Sequence, residues 1–264
     1  MSSALTGIGI LITRPLPQAL SLAKMLGDEG ADPVVFPGVE LEPVEGPQVA
    51  ASLREAQQAD LIVFISPNAA RIGMQLLAAA GTIPAGAKFA AIGAGTAREL
   101  SASGAGRIIT PLEGQDSEAL ARHPALQAIS GRKVVVFRGQ GGREYLATVL
   151  RERGAQVVLA ECYRRLRPRD QFSRTLPDWR SGRIAAWTAS SVEIVENLFA
   201  IAGEDGSEWL RRRVVFVPHP RVAAGAFRRG TRSVFVTDPG DAGLRSGLET
   251  WFGRSRCTTA PNSR

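Results

Sequence analysis

Aromatic residues are scarce in this chain, at 6% of 264 residues. They do not alternate with basic ones, so no ladder of stacking platforms for nucleic acid can be read, and no nucleic-acid partner is expected. Cysteine is scarcer still. Cys162 and Cys257 are too few for a disulfide framework, and the second lies in a polar tail, which suits a reducing, cytoplasmic setting. The two histidines, His123 and His219, stand far apart with no Cys or carboxylate at ligand spacing, so no metal centre is expected. No apolar run reaches the roughly 18 residues that a membrane helix needs. The N-terminus has no basic start before its short apolar stretch Ile8 to Ile12, so neither a span nor a signal peptide is expected. A Walker A sequence is missing. Ala91-Ile92-Gly93-Ala94-Gly95-Thr96-Ala97-Arg98 begins like a dinucleotide fingerprint, but Arg98 stands where the third glycine belongs.

What is present is a repeat. Shifted by 124 residues, Arg14 falls on Arg138, Gly30-Ala31 on Gly154-Ala155, and Ser66 on Ser190. Leu22 and Leu26 meet Leu146 and Leu150 in the same register, and with a drift of two residues Gly104 meets Gly230. A period this long is a domain-sized duplication, not a solenoid. Two α/β lobes follow, and ligands commonly bind between lobes. The formal net charge of +7, from 32 Lys and Arg against 25 Asp and Glu, fits an anionic partner or a soluble, Arg-rich surface.

Short apolar runs alternate with amphipathic segments in both copies. Ile8 to Thr13 reads as a strand, Gln18 to Glu29 as a helix with Leu20, Ala23 and Leu26 on one face, and Val34 to Phe36 as the next strand. Repeat two copies this as Lys133 to Phe137, Arg143 to Arg153 and Val157 to Tyr163. Later strands are expected at Leu61 to Ile65, Phe89 to Ile92 and Ile108-Ile109, and at Ile184 to Thr188, Val214 to Val217 and Val234 to Val236. The alternation predicts βαβ units and parallel sheets. Glu42 to Pro47 and Leu166 to Arg169 read as linkers, and Gly253 onward as a disordered tail.

In open parallel sheets ligands meet the loops at the carboxyl ends of the strands. Those loops carry Arg14, Ser66 with Asn68, Gly93 with Thr96, Arg138-Gly139 with Arg143, Ser190-Ser191, and His219 with Arg221. Each opens a helix, where free N–H groups take anions. Arginine grips carboxylates in a bidentate fork. The same Ser, Thr and Asn residues also serve as helix caps without any ligand. No G-x-S-x-G elbow surrounds Ser190-Ser191, so acid–base work falls to a tyrosine. Tyr145 sits on the apolar stripe of its helix and reads as core. Tyr163 closes a strand before the Arg-rich linker and is the candidate proton donor.

These loops together resemble the uroporphyrinogen-III synthase family. The similar stretches include Thr13-Arg14-Pro15, Phe64-Ile65-Ser66-Pro67-Asn68-Ala69, Arg138-Gly139 with Gly142-Arg143, and Cys162-Tyr163-Arg164-Arg165. Ser190-Ser191 with Glu193 and Asn197-Leu198 complete the set. The resemblance implies two similar flavodoxin-like α/β lobes with parallel sheets, joined by two crossing linkers. Lobe one would combine residues 1–40 with 168–253, lobe two would be residues 41–167, and residues 254–264 would be the tail. It further implies a cytoplasmic monomer without cofactor or metal. The substrate would be a polycarboxylate tetrapyrrole, hydroxymethylbilane, cyclised with loss of water and inversion of ring D. Tyr163 would assist departure of the hydroxyl, and the loop residues named above would hold substrate. Which of Thr188, Ser190 and Ser191 does so stays open, because Thr188-Ala189-Ser190-Ser191 displaces the family's Thr-Ser-Ser run. A different class is also open: a non-catalytic two-lobe sensor of an anionic metabolite. Tyr163 separates the two, since a sensor needs no proton donor.

Overall fold

The computed structural model describes residues 3–81, 83, 86, 88–169 and 180–257, with side chains through 254. The chain divides into two compact units. Unit one is Met1–Glu40 with Leu166–Arg264, and unit two is Leu41–Arg165.

Unit one holds strands β1 (Gly9–Ile12), β2 (Asp32–Val35), β9 (Ile184–Thr188), β10 (Val214–Val217) and β11 (Val234–Val236). All of the paired strands are parallel, in the order β11-β10-β9-β1-β2. Read from the other end, this is the 2-1-3-4-5 order of flavodoxin-like sheets. Alternation along each strand makes two cores. Leu11, Trp187, Val215 and Val217 face one side, and Ile10, Ile12, Ala186 and Phe216 the other. Helices α1 (Leu16–Asp28) and α10 (Gly240–Cys257) cover the second face with Leu22, Leu26, Leu244 and Leu248. The first face takes α7 (Val192–Ile201), α8 (Gly203–Arg212) and α9 (Pro220–Arg228). Each fully buried leucine there contributes about 1.5–3 kcal/mol relative to exposure.

Unit two holds β3 (Glu40–Pro43), β4 (Leu61–Phe64), β5 (Lys88–Ala91), β6 (Ile108–Ile109), β7 (Lys133–Gly139) and β8 (Gln156–Leu166), in the order β3-β8-β7-β4-β5-β6. Without β3 it is the same 2-1-3-4-5 arrangement, now begun by β7 and β8. Each sheet therefore takes its first two strands from one repeat and its last three from the other. Phe64, Phe89, Val135 and Phe137 pack on α3 (Pro67–Ala79), α4 (Ala94–Ala102) and α2 (Pro47–Ala56). Val63, Ala90, Val134 and Val136 pack on α5 (Ser117–Ala121) and α6 (Tyr145–Glu152).

The α/β class and parallel sheets are as expected, and so are the glycine stops after the first helix of each repeat. Gly30 and Gly154 lie at φ 84° and 83°, a left-handed turn that only glycine adopts without cost. Several local expectations need correction. The Glu42–Pro47 break is not free chain, since Glu42 and Pro43 lie in β3 and Pro47 opens α2. β8 runs on to Leu166, so Tyr163 does not end it. Leu20 is 58% exposed and Tyr145 40% exposed; α1 buries Ala19, Leu22 and Leu26 instead. α10 carries helix through to Cys257, into what read as tail; residues 258–264 lie outside the described residues.

Candidate active site at the carboxyl edges of the sheets

Every strand-to-helix loop singled out in the sequence lies at a carboxyl edge, because each follows a parallel strand directly. In unit two, Ser66 caps α3: its Oγ accepts from Ala69 N at 3.0 Å, and Pro67 occupies the first helical position. Asn68 follows, half-buried. Gly93 caps α4 in extended conformation, and a Cβ there would meet Gln115 at 3.1 Å. Thr96, at 1% exposure, is turned into the protein.

Tyr163 stands beside Ser66. Its hydroxyl lies 3.3 Å from Ser66 Oγ, and its ring packs in the core at 4% exposure. Tyr163 does not close its strand, because β8 continues three residues beyond it. Gly139 allows this placement. A Cβ on Gly139 would lie 2.6 Å from Tyr163 Cζ, closer than real contacts permit. The Gln140 N–H donates to the Tyr163 carbonyl at 2.8 Å, tying the loop after β7 to the same residue.

Arg138 differs from the expectation for a carboxylate fork. Its side chain is 2% exposed and serves the loop itself, with Nη2 donating to the Gly142 carbonyl and Nε to the Gly139 carbonyl at 3.3 Å. Glu161 and Glu144 stand at 3.8 and 4.0 Å. Arg143 is exposed, pairs with Glu118 at 2.6 Å, and lies 5.9 Å over the Tyr145 ring. Next to this loop, a groove of about 470 Å³ is lined by Glu42, Val44, Gln140 and Arg164. Arg164 donates to Glu42 at 2.6 Å and holds that carboxyl below its usual range. A groove of about 600 Å³ lies at the opposite end of the sheet, lined by Gln57, Asp60, Lys88 and Arg132, away from all of these loops.

In unit one, Arg14 is paired with Asp241 in the first turn of α10. Thr188 is buried: its Oγ1 donates to the Leu11 carbonyl at 3.2 Å and accepts from Thr13 N at 3.4 Å. Of the three hydroxyls left open, Thr188 is therefore used within the sheet. Ser191 caps α7, accepting from Ile194 N at 3.2 Å, and Ser190 is half-buried before it. His219 caps α9, with Nδ1 accepting from Arg221 N at 3.0 Å; both His219 and Arg221 are exposed. The capping role weighed against a ligand role is thus real for Ser66 and Ser191, and His219 takes it as well.

Sequence reasoning missed three partners. Asp241 fixes Arg14, and the Gly142 carbonyl holds Arg138. Asn197, buried at 7%, donates to the Gly38 carbonyl at 3.0 Å and accepts from Arg167 at 3.3 Å. Only Asn197 left a signal, as a polar residue inside the apolar stripe of α7. Cys162 is buried beside Arg138, and burial pushes its thiol up to about 12, so it is no nucleophile. Among the described residues no cluster of three His, Cys, Asp or Glu could hold a metal ion, and no helix is long and apolar enough to cross a membrane.

Comparison with known proteins agrees with the family resemblance. The family model described as uroporphyrinogen-III synthase HemD matches residues 21–243. Uroporphyrinogen-III synthase of Salmonella typhimurium is 31% identical over 237 residues, covering 89% of this chain and 96% of that protein. The Escherichia coli protein of the same name is 30% identical with the same coverage. A mutant uroporphyrinogen III synthase of Thermus thermophilus superposes with a TM-score of 0.60 at 22% identity, over 95% of this chain and 99% of that one. A uroporphyrinogen-III synthetase structure from Helicobacter pylori gives 0.57 at 12% identity, over 94% and 99%. The sensor reading finds no support among these relatives. By sequence, the chain belongs to the uroporphyrinogen-III synthase family, enzymes of the hydro-lyase class.

Proposed function

We propose that this chain cyclises hydroxymethylbilane to uroporphyrinogen III, with Tyr163 giving a proton to the departing hydroxyl. The observation that carries the proposal is the Tyr163 hydroxyl at 3.3 Å from Ser66, at the carboxyl edge of unit two in a chain of this family. The loss of water needs a donor at the leaving oxygen, and no other phenol stands at a carboxyl-edge loop with its hydroxyl tied to a helix cap. General acid assistance of this kind typically contributes about 100-fold or more. Asn68, Gly93, Gly139 and Arg143 of unit two, and Arg14, Ser190, Ser191, His219 and Arg221 of unit one, line the edges where substrate carboxylates bind, with Ser66 and the inward-turned Thr96 holding their loops from within. They supply helix N–H groups, hydroxyls and guanidinium groups. Arg138 acts from within, holding the Gly139–Gly142 loop in shape. Holding the linear chain bent for ring inversion is the larger part of the task. On this reading the protein is a cytoplasmic monomer that uses neither metal nor organic cofactor and binds no nucleic acid.

The test is an anaerobic assay of purified protein on fresh hydroxymethylbilane with chelator present, followed by oxidation and separation of the isomers. The type III isomer is expected. Type I product alone would overturn the proposal.

A further inference from the structure

Ser66 does more than cap a helix. Its Oγ accepts the Ala69 N–H at 3.0 Å, which settles one lone pair and leaves its single hydroxyl proton free. The Tyr163 oxygen lies within reach of that proton at 3.3 Å, and either hydroxyl can be the donor in this pair. With Ser66 donating, the phenol proton is turned away from Ser66. The phenol sits at the N-terminal end of the 13-residue α3, where the aligned peptide dipoles favour negative charge. Gly139 fixes the other side, because the ring fills the space that a Cβ would take.

We infer that Ser66 is a positioning residue for Tyr163: it aims the phenol and stabilises the phenolate left behind by proton transfer. The inference rests on the reaction proposed above. In the step, the Tyr163 O–H proton goes to the substrate hydroxyl, the carbon–oxygen bond breaks with its electron pair on oxygen, and water departs. The pyrrole nitrogen lone pair fills the vacancy on carbon, and Ser66 donates to the phenolate. The proton released from the ring carbon at closure restores the phenol, so the cycle balances with water as the only other product.

The same device does not recur in the other half of the duplication. Ser191 caps α7 in the same way, but the residue in register with Tyr163 is Val39, which has no hydroxyl. A cap required only by folding would be indifferent to this difference.

The experiment measures kcat and KM for type III formation in wild type, Ser66→Ala, Ser66→Thr, Ser66→Asp, Tyr163→Phe and the Ser66→Ala/Tyr163→Phe double variant. Ser66→Ala is expected to lower kcat about tenfold, as for a lost hydrogen bond to a charged group, with KM nearly unchanged. Ser66→Thr keeps both cap and donor and should retain the rate. Ser66→Asp keeps the cap acceptor but cannot donate, so it should fold and be as slow as Ser66→Ala even where the alanine variant proves unstable. In the Tyr163→Phe background, removing Ser66 should cost no further rate. The inference falls if the Ser66 loss is the same with and without the phenol, if it lies in KM alone, or if Ser66→Asp matches wild type. Those outcomes leave type III formation by wild type intact, so they are distinct from failure of the reaction itself.

Discussion

The helices after β4 and β9 begin alike and end up in different chemistry. Ser66 and Ser191 each accept the N–H three residues on, at 3.0 and 3.2 Å, and both follow a buried strand. Across from Ser66 stands Tyr163; the register partner on the other side is Val39, and each is 4% exposed. Both halves keep the cap and a buried side chain at this register position, and only one of the two side chains carries a phenol. Arg14 and Arg138 teach the same lesson from another pair. One reaches across to Asp241 on a neighbouring helix, while the other is buried and spent on its own loop.

The arginine pair gives the largest expected difference. Arg138→Met removes donors from the Gly139 and Gly142 carbonyls inside a site where water cannot replace them, and should cost about 3 kcal/mol of unfolding free energy. Arg14→Met breaks a partly exposed ion pair and should cost about 1 kcal/mol or less. Urea unfolding of the two variants measures both. Equal losses would break the contrast between a fully buried and a half-buried arginine.

A smaller effect is expected from methyl groups placed in each half. Gly139→Ala puts a Cβ 2.6 Å from Tyr163 Cζ, so the ring or the loop must shift. A loss of about 1–3 kcal/mol is expected, with type III formation slowed about tenfold because the hydroxyl leaves Ser66. Gly27→Ala in α1 meets nothing within 4 Å and lies inside a helix, so it should stabilise by about 0.5–1 kcal/mol with activity unchanged. Thermal melts and initial rates test both. An active Gly139→Ala would show that the phenol need not sit where it does.

Much of the fold was legible because parallel strands are buried on both faces and read as uninterrupted apolar runs, as in Leu61–Phe64 and Val134–Phe137. β3 was not, since Glu40–Pro43 is a short, polar, Pro-ended edge strand with no apolar pattern to betray it. Tyr145 was misread because the helix begins at Tyr145 rather than Arg143, which leaves the ring in an exposed first turn under a guanidinium. The loops of the site were legible by residue type and by their place after strands. Their pairings were not: Ser66 and Tyr163 are 97 residues apart, and nothing local in either segment names the other. Arg138 shows the limit from the other side. A conspicuous arginine among glycines suggests a ligand, yet the missing Cβ at Gly142 lets the guanidinium come close enough for the loop's own carbonyls to use the charge.

The smallest expected effect concerns acid, and it separates two kinds of lowered carboxylate. Asp60 in unit two is held below its usual range first by the Lys133 backbone N–H at 2.8 Å, then by Arg132. Glu42 in the same unit is held by the Arg164 side chain, and Glu208 in unit one by Arg212, with Arg232 and Arg211 behind it. In each case the folded protein binds a proton less readily than the unfolded chain. The stabilisation is therefore present above the ordinary carboxylate range and lost as pH falls through the lowered values. Melting temperature should hold level from neutral pH to about 5 and decline below about 4. All three groups are open to water, so side-chain pairs should fade at about 1 M salt, where the screening length is about 3 Å. The backbone N–H of Lys133 is fixed by the sheet and does not have to be ordered to reach Asp60. Asp60→Asn should then still flatten the acid decline in high salt, while Glu42→Gln and Glu208→Gln should no longer differ from wild type. If salt abolishes the Asp60 effect as well, the backbone donor contributes nothing beyond what the surface pairs supply.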